Sequence, residues 1–133
     1  IGDPEFDAVL RSRMAAAIET LGTGDRTVVL ATTPVVGPGR DGTARANRAL
    51  GEDHPDRVAR LNQLLNEVAA EHPGTWVIDY GAYVDAMSAV DSATRFPDGI
   101  HPTESAALDI WREFLGPSLE GIVAAAHGNP AGA

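Results

Sequence analysis

Apolar residues recur at helical spacing near the start of the chain: Phe6, Val9, Leu10, Met14, Ala17, Ile18 and Leu21. That period predicts a first helix. Asp3-Pro4-Glu5 supplies an N-cap, a proline at the first helical position and an acid in the first turn. Gly22 and Gly24 close the element. The pattern then shortens to TVVLATT, Thr27 to Thr33, a β-branched run that fits a buried parallel strand. Asp53-His54-Pro55-Asp56 predicts a second capped helix, with Val58, Leu61, Leu64, Leu65 and Val68 as its apolar stripe. His72-Pro73-Gly74 ends it. TWVIDY, Thr75 to Tyr80, is the second predicted strand, with Asp79 at its carboxyl end. A short helix over Gly81–Met87 and a Ser/Asp/Thr-rich loop follow. Thr103 is the expected cap of a last helix carrying Leu108, Trp111 and Leu115. Gly116-Pro117 is expected to break that helix, with Leu119, Ile122 and Val123 in a short continuation. HGNPAGA, residues 127–133, has nothing to bury and reads as a disordered tail.

The order α-β-α-β-(α)-α points to right-handed crossovers and a parallel sheet. Two strands are too few for a parallel sheet covered on both faces. The expectation is therefore a three-layer α-β-α fold of which residues 1–126 form the C-terminal part of a single domain, with further strands upstream of Ile1. The long loop over residues 34–53, rich in Pro, Gly and charge, is expected to be mobile or to help form a site.

Composition narrows the function classes. The 133 residues suffice for one compact domain, and 44% hydrophobic content supplies a core. A net charge of −9 disfavours nucleic acid and anionic membrane surfaces. The absence of cysteine excludes a disulfide scaffold and leaves the compartment open. No apolar run reaches the length of a membrane span. The first residue is Ile rather than Met, which suggests a piece of a longer protein.

Chemistry concentrates in FPDGIHPTESAALDIW, Phe96 to Trp111. Asp98 and His101 stand three residues apart, between a proline and the last helix. One turn of backbone can bring the carboxylate to the ring Nδ1, fixing the tautomer so that Nε2 can take a proton from a serine. Gly99 permits the tight turn and Pro102 stiffens its exit. Spacing alone leaves a second reading open, in which Asp98 caps a turn and His101 is a solvated loop residue. Ser88, Ser92, Ser105 and Ser118 lack the strand-to-helix elbow of a nucleophile. Asp53, His54 and Asp56 match no metal-site spacing and are explained as a helix start. Tyr80 and Tyr83 either line a site or pack.

The octet PDGIHPTE, followed by SAALDIWREFLGPSL, resembles the last block of SGNH (GDSL-like) hydrolases. DAVLRSRMAAAIETL, TVVLATTP and RVARLNQLLNEVAAEHPGTWVIDY precede it in the order of that family's C-terminal half, and the likeness covers almost the whole chain. It is greatest to SGNH domains fused to integral-membrane acyltransferases of actinobacterial type. The resemblance implies a flavodoxin-like fold, His101 as general base and Asp98 as the residue that orients it, with no cofactor. It implies acyl transfer through an acyl-serine, on acetyl or short acyl esters of cell-envelope glycans outside the cytoplasmic membrane, by a parent protein tethered through a membrane domain. The family's serine, in a Gly-Asp-Ser block, and its oxyanion-hole blocks have no counterpart here; Gly2-Asp3 is followed by Pro4. Their implied source is an N-terminal half of the same domain. A non-catalytic SGNH-like module that holds a glycan or a protein partner is the alternative.

Overall fold

The computed structural model of the chain describes residues 1–24, 26–35 and 55–128. Helix α1 spans Pro4–Leu21, with the Asp3 carboxylate accepting from the N–H groups of Glu5 and Phe6. Strand β1 (Val28–Ala31) and strand β2 (Thr75–Ile78) pair in parallel, Val28 beside Thr75 and Ala31 beside Ile78. Between them in sequence lies α2, Pro55–Ala70. The chain is thus of mixed α/β class, with a two-stranded parallel sheet among the described residues. None of the described helices is long and apolar enough to cross a membrane.

The first core cluster joins Ile18 of α1, Val28 of β1 and Val68 of α2, with Met14, Ala15 and Leu30 against it. Helix α2 buries Val58, Leu64, Leu65 and Val68 as its periodicity requires. Helix α1 does not follow its apolar stripe. Phe6, Val9 and Leu21 stay half exposed, whereas Asp7 is buried. The reason is the partner helix. Asp7, Arg11, Met14 and Ile18 share one face, and α2 meets it with its own charges. Arg11 donates to Glu67 and to Glu71, each at 2.6 Å, and Arg60 donates to Asp7 at 2.8 Å. Asp7 also accepts from the Gly2 N–H at 2.9 Å. The Arg60 hydrogen bond, helped by Gly2, holds the Asp7 carboxyl below its usual range. Exposed ion pairs add little stability singly; joined into a network, they set how α1 lies along α2.

Beyond β2 the chain departs from its sequence pattern in several places. Helix α3, Tyr80–Asp85, is the expected short helix, capped by Asp79. The stretch expected as a loop contains a further helix, α4, Ala89–Arg95. Ser88 Oγ accepts from the Asp91 N–H at 3.1 Å and donates to the Asp91 carboxylate at 2.6 Å. This reciprocal cap resembles a capping box and outweighs the poor helix propensity of Ser, Asp and Thr. Helix α5, Glu104–Ile110, begins at its Thr103 cap. It buries Ala106 and Ile110, while Leu108 and Trp111 are about half exposed, at 49% and 53%.

Gly116-Pro117 does not end the helix. One π-helical turn, Trp111–Leu115, leads directly into α6, Gly116–Gly128. The Gly116 N–H donates to the Trp111 carbonyl, five residues back. Pro117 lacks an N–H, and its ring would strike a carbonyl held in α geometry; the widened turn before it relieves both problems. His127 and Gly128, expected in the tail, are the last residues of α6. Residues 129–133, residues 36–53 of the long loop and the expected Asp53 cap lie outside the described residues. A second core cluster joins Val84, Phe96 and Ile110, flanked by Tyr80, Tyr83, Met87 and Leu115.

Two polar arrangements fix the carboxyl ends of the strands. Thr32 is buried, and its hydroxyl donates to Asp79 Oδ1 at 2.7 Å and accepts from the Gly81 N–H at 2.8 Å. The second involves the outer side of β1. The N–H groups of Val28 and Thr32 donate to Gly74 and Ile78, so the alternating backbone of Val29, Ala31 and Thr33 points away from β2. At Thr33 the Asn62 side chain takes the place of a neighbouring strand, its oxygen accepting from the Thr33 N–H and its nitrogen donating to the Thr33 carbonyl, both at 2.8 Å. The outward groups of Val29 and Ala31 have no partner among the described residues.

A Cβ on Gly81 would stand 2.8 Å from the Thr33 carbonyl oxygen and 3.1 Å from Thr32 Oγ1. In the intact protein, Gly81→Ala is expected to destabilise by about 1–3 kcal/mol, the usual range for forced overpacking. Gly121 is exposed within α6 and nothing lies within 4 Å of its added Cβ. Gly121→Ala is therefore expected to stabilise by up to about 1 kcal/mol through helix propensity. Paired denaturant unfolding curves check both signs; a neutral Gly81→Ala would show that the strand ends tolerate separation.

Candidate functional site: the Asp98–His101 turn

Phe96, nearly fully buried, anchors the site as its N–H closes α4 on the Ser92 carbonyl at 2.8 Å. The Gly99 N–H then returns to the Phe96 carbonyl at 2.9 Å. Gly99 has φ of 81°, a left-handed conformation that side chains rarely adopt. The Thr103 N–H donates to the Arg95 carbonyl at 2.9 Å and ties the exit of the turn to its entrance. The end of α4 and the start of α5 thus hold Asp98 and His101 between two fixed points.

Asp98 uses both carboxylate oxygens. Its Oδ1 accepts from the Ile100 N–H at 2.9 Å and the His101 N–H at 2.7 Å, an Asx-type turn. Its Oδ2 lies 2.7 Å from His101 Nδ1. The hydrogen bond from the ring, followed by the two backbone N–H groups, holds the Asp98 carboxyl far below the usual carboxylate range. An ionised carboxylate can only accept, so Nδ1 carries the proton and the neutral ring keeps its lone pair on Nε2. Nε2 makes no hydrogen bond among the described residues, and the His101 side chain is 79% exposed. The turn therefore presents an oriented imidazole with a free basic nitrogen. The two readings that spacing left open are not exclusive here, because Asp98 both shapes the turn and orients the ring.

Beside the turn lies a cavity of about 200 Å³. Pro34 and Val35 line it from beyond the end of β1, Tyr80 and Val84 from α3, and Phe96 and Ile100 from either side of Asp98. It thus sits past the carboxyl ends of both strands, the usual position for ligand sites in open parallel sheets. Tyr80 lines it; Tyr83 instead stacks on Phe114, ring centres 4.3 Å apart, and donates to Glu113 at 3.1 Å. The serines are dispersed. Ser88 is spent on its cap, Ser92 lines the cavity from within α4, and Ser105 pairs with Thr103 at 3.3 Å. No serine hydrogen-bonds His101 among the described residues. Among those residues, too, no group of three His, Cys, Asp or Glu side chains is placed to hold a metal.

Sequence reasoning overlooked Thr32 and Asn62, which position the neighbouring loop. Asp79 directly before a short helix, with Gly81 two residues on, was an available cue for the first; nothing in the pattern of α2 marks Asn62 as facing a strand end.

The depressed Asp98 carboxyl gives a signed pH expectation. Its ordinary value is 3.8 and its folded value is lower, so the stabilisation of the turn is complete above pH 3.8 and is lost only as the pH falls through the lower folded value. In nuclear magnetic resonance titrations, the Ile100 and His101 amides should keep their hydrogen-bonded shifts down through pH 4. A midpoint at or above the ordinary carboxylate value would contradict the geometry. Asp98→Asn keeps an oxygen for those amides but offers Nδ1–H no carboxylate, and the His101 ring ¹⁵N shifts should report a change of tautomer.

No protein family, curated protein or solved structure matches this chain, so its site stands on its own geometry.

Proposed function

We propose that this chain is the C-terminal part of an SGNH-type serine esterase or O-acyltransferase domain, and that His101 and Asp98 are the base end of its Ser-His-Asp triad. The observation that carries the reading is the 2.7 Å contact between His101 Nδ1 and Asp98 Oδ2, with Nε2 turned free of it. The resemblance of the PDGIHPTE block supports it. In this reading a serine from the N-terminal half attacks the ester carbonyl while its proton passes to Nε2. The tetrahedral intermediate collapses, and the departing alcohol takes that proton. Water or a sugar hydroxyl then gives its own proton to Nε2 and attacks the acyl-serine, and the proton returns to the serine oxygen. Asp98 stabilises the imidazolium at each stage. Oxyanion-hole donors come from the same N-terminal half. The open side of β1 at Val29 and Ala31 is where the remaining strands of a three-layer fold would add. The substrate class is an acyl ester of a cell-envelope glycan, outside the cytoplasmic membrane.

A second reading is favoured by the high exposure of His101 and by the lack of a serine at hydrogen-bond distance among the described residues. In it the chain belongs to a non-catalytic module that holds a glycan or a partner, and the Asp98–His101 pair does no proton transfer. The intact parent protein separates the two. His101→Ala is expected to lower turnover of a small acyl ester by on the order of 10³-fold. Near-parent turnover by a folded His101→Ala protein would end the triad reading.

A further inference from the structure

We infer that the cavity beside the Asp98–His101 turn receives the acyl chain of the ester, and that, by comparison with a cavity that takes up benzene, it suits a chain of about six to eight carbons better than acetyl. This rests on the acyl-transfer reading above, and it replaces the acetyl expectation with a larger group. Size comes first. The cavity holds about 200 Å³, whereas an apolar cavity of about 150 Å³ stays dry and takes up benzene. A single methyl group would leave most of it empty.

Lining chemistry comes second. Pro34, Val35, Val84, Phe96 and Ile100 supply aliphatic and aromatic wall, and none of the described residues that line the space is charged. Burial pushes the Tyr80 phenol up, so it too stays neutral. A sugar ring needs several hydrogen-bonding partners. The lining hydroxyls of Thr33 and Ser92 sit in a largely apolar wall, so the glycan is better placed outside it.

Position comes third. Gly99 and Ile100, which line the cavity, are the two residues between Asp98 and His101. The turn that orients the imidazole is therefore also a wall of the cavity. Val84 and Phe96, both buried in the second core cluster, make their part of the lining firm before any ligand arrives. Ile100 is 43% exposed and stands at the rim.

The test uses the intact parent protein and a series of 4-nitrophenyl esters from acetyl to dodecanoyl. Expected is a rise in kcat/KM of about threefold to fourfold per methylene, the effect of burying each CH₂, levelling off near octanoyl. Ser92→Leu, a change to a better helix former inside α4, places a larger side chain in the cavity. It should lower the octanoyl-to-acetyl ratio of kcat/KM by at least about tenfold. Octanamide binding to the His101→Ala protein, followed by calorimetry, reads the cavity without turnover, and Ser92→Leu on that background should weaken it. A flat or acetyl-favouring series together with no octanamide binding overturns the acyl site, and leaves the triad reading to stand or fall by His101→Ala. Octanamide binding that Ser92→Leu weakens, with no ester turned over, upholds the apolar-chain site and overturns the triad.

Discussion

The hydrogen bonds of one buried hydroxyl organise the carboxyl end of this sheet. Thr32 Oγ1 reaches Asp79 across the strands and receives the Gly81 N–H. Each strand here has only four residues, so ladder bonds alone leave their ends poorly fixed. The Thr32 link holds the residue just past β1 against the Asp79 cap of α3. From that junction Thr33, Pro34 and Val35 leave on one side, and Tyr80 and Val84 on the other, and together they enclose the cavity. A buried polar group without partners would be costly; with both its donor and acceptor roles filled, it specifies one relative placement of two chain segments.

Carboxylates recur as backbone organisers. Asp3 starts α1, Asp79 starts α3, Asp98 closes its own turn, and Asp7 accepts from Gly2. Part of the acidic excess is therefore engaged in holding local conformations. Asp98, like Asp7, gives one oxygen to the backbone and the other to a side chain, and in Asp98 that side chain is an imidazole. Its backbone bonds fix the carboxylate, and the fixed carboxylate then fixes the ring. That order of dependence explains how a largely exposed histidine can still have a defined orientation.

Local signals in the sequence survive intact where chemistry acts over one turn. Asp3-Pro4, Thr103 and the Asp98–His101 pair all behave as their spacing requires. Size and hydrophobicity mislead where distant partners decide. Helix α1 turns Asp7 and Arg11 inward because α2 offers Arg60, Glu67 and Glu71, residues more than 50 positions away. Trp111 is outward because the smaller Ala106 and Ile110 fit the contact surface. Pro117 reads as a stop until a π turn is allowed before it. The cavity was not legible at all, since its walls come from separate segments that no periodicity links. The roles proposed for Asp98 and His101 rest on a resemblance of their sequence block to SGNH hydrolases, while the distance between them comes from the turn itself.

The Asn62 amide on Thr33 has a consequence for self-association. Open strand edges template the addition of other chains. On β1 the open outer side is limited to Val29 and Ala31, because the next outward backbone pair is already occupied by a side chain of the same molecule. At a rise of about 3.3 Å per residue, the free edge extends for roughly 10 Å. Any strand added on this side, from the same protein or another, could lengthen its pairing past Ala31 only by displacing an amide that already satisfies both polar groups of Thr33.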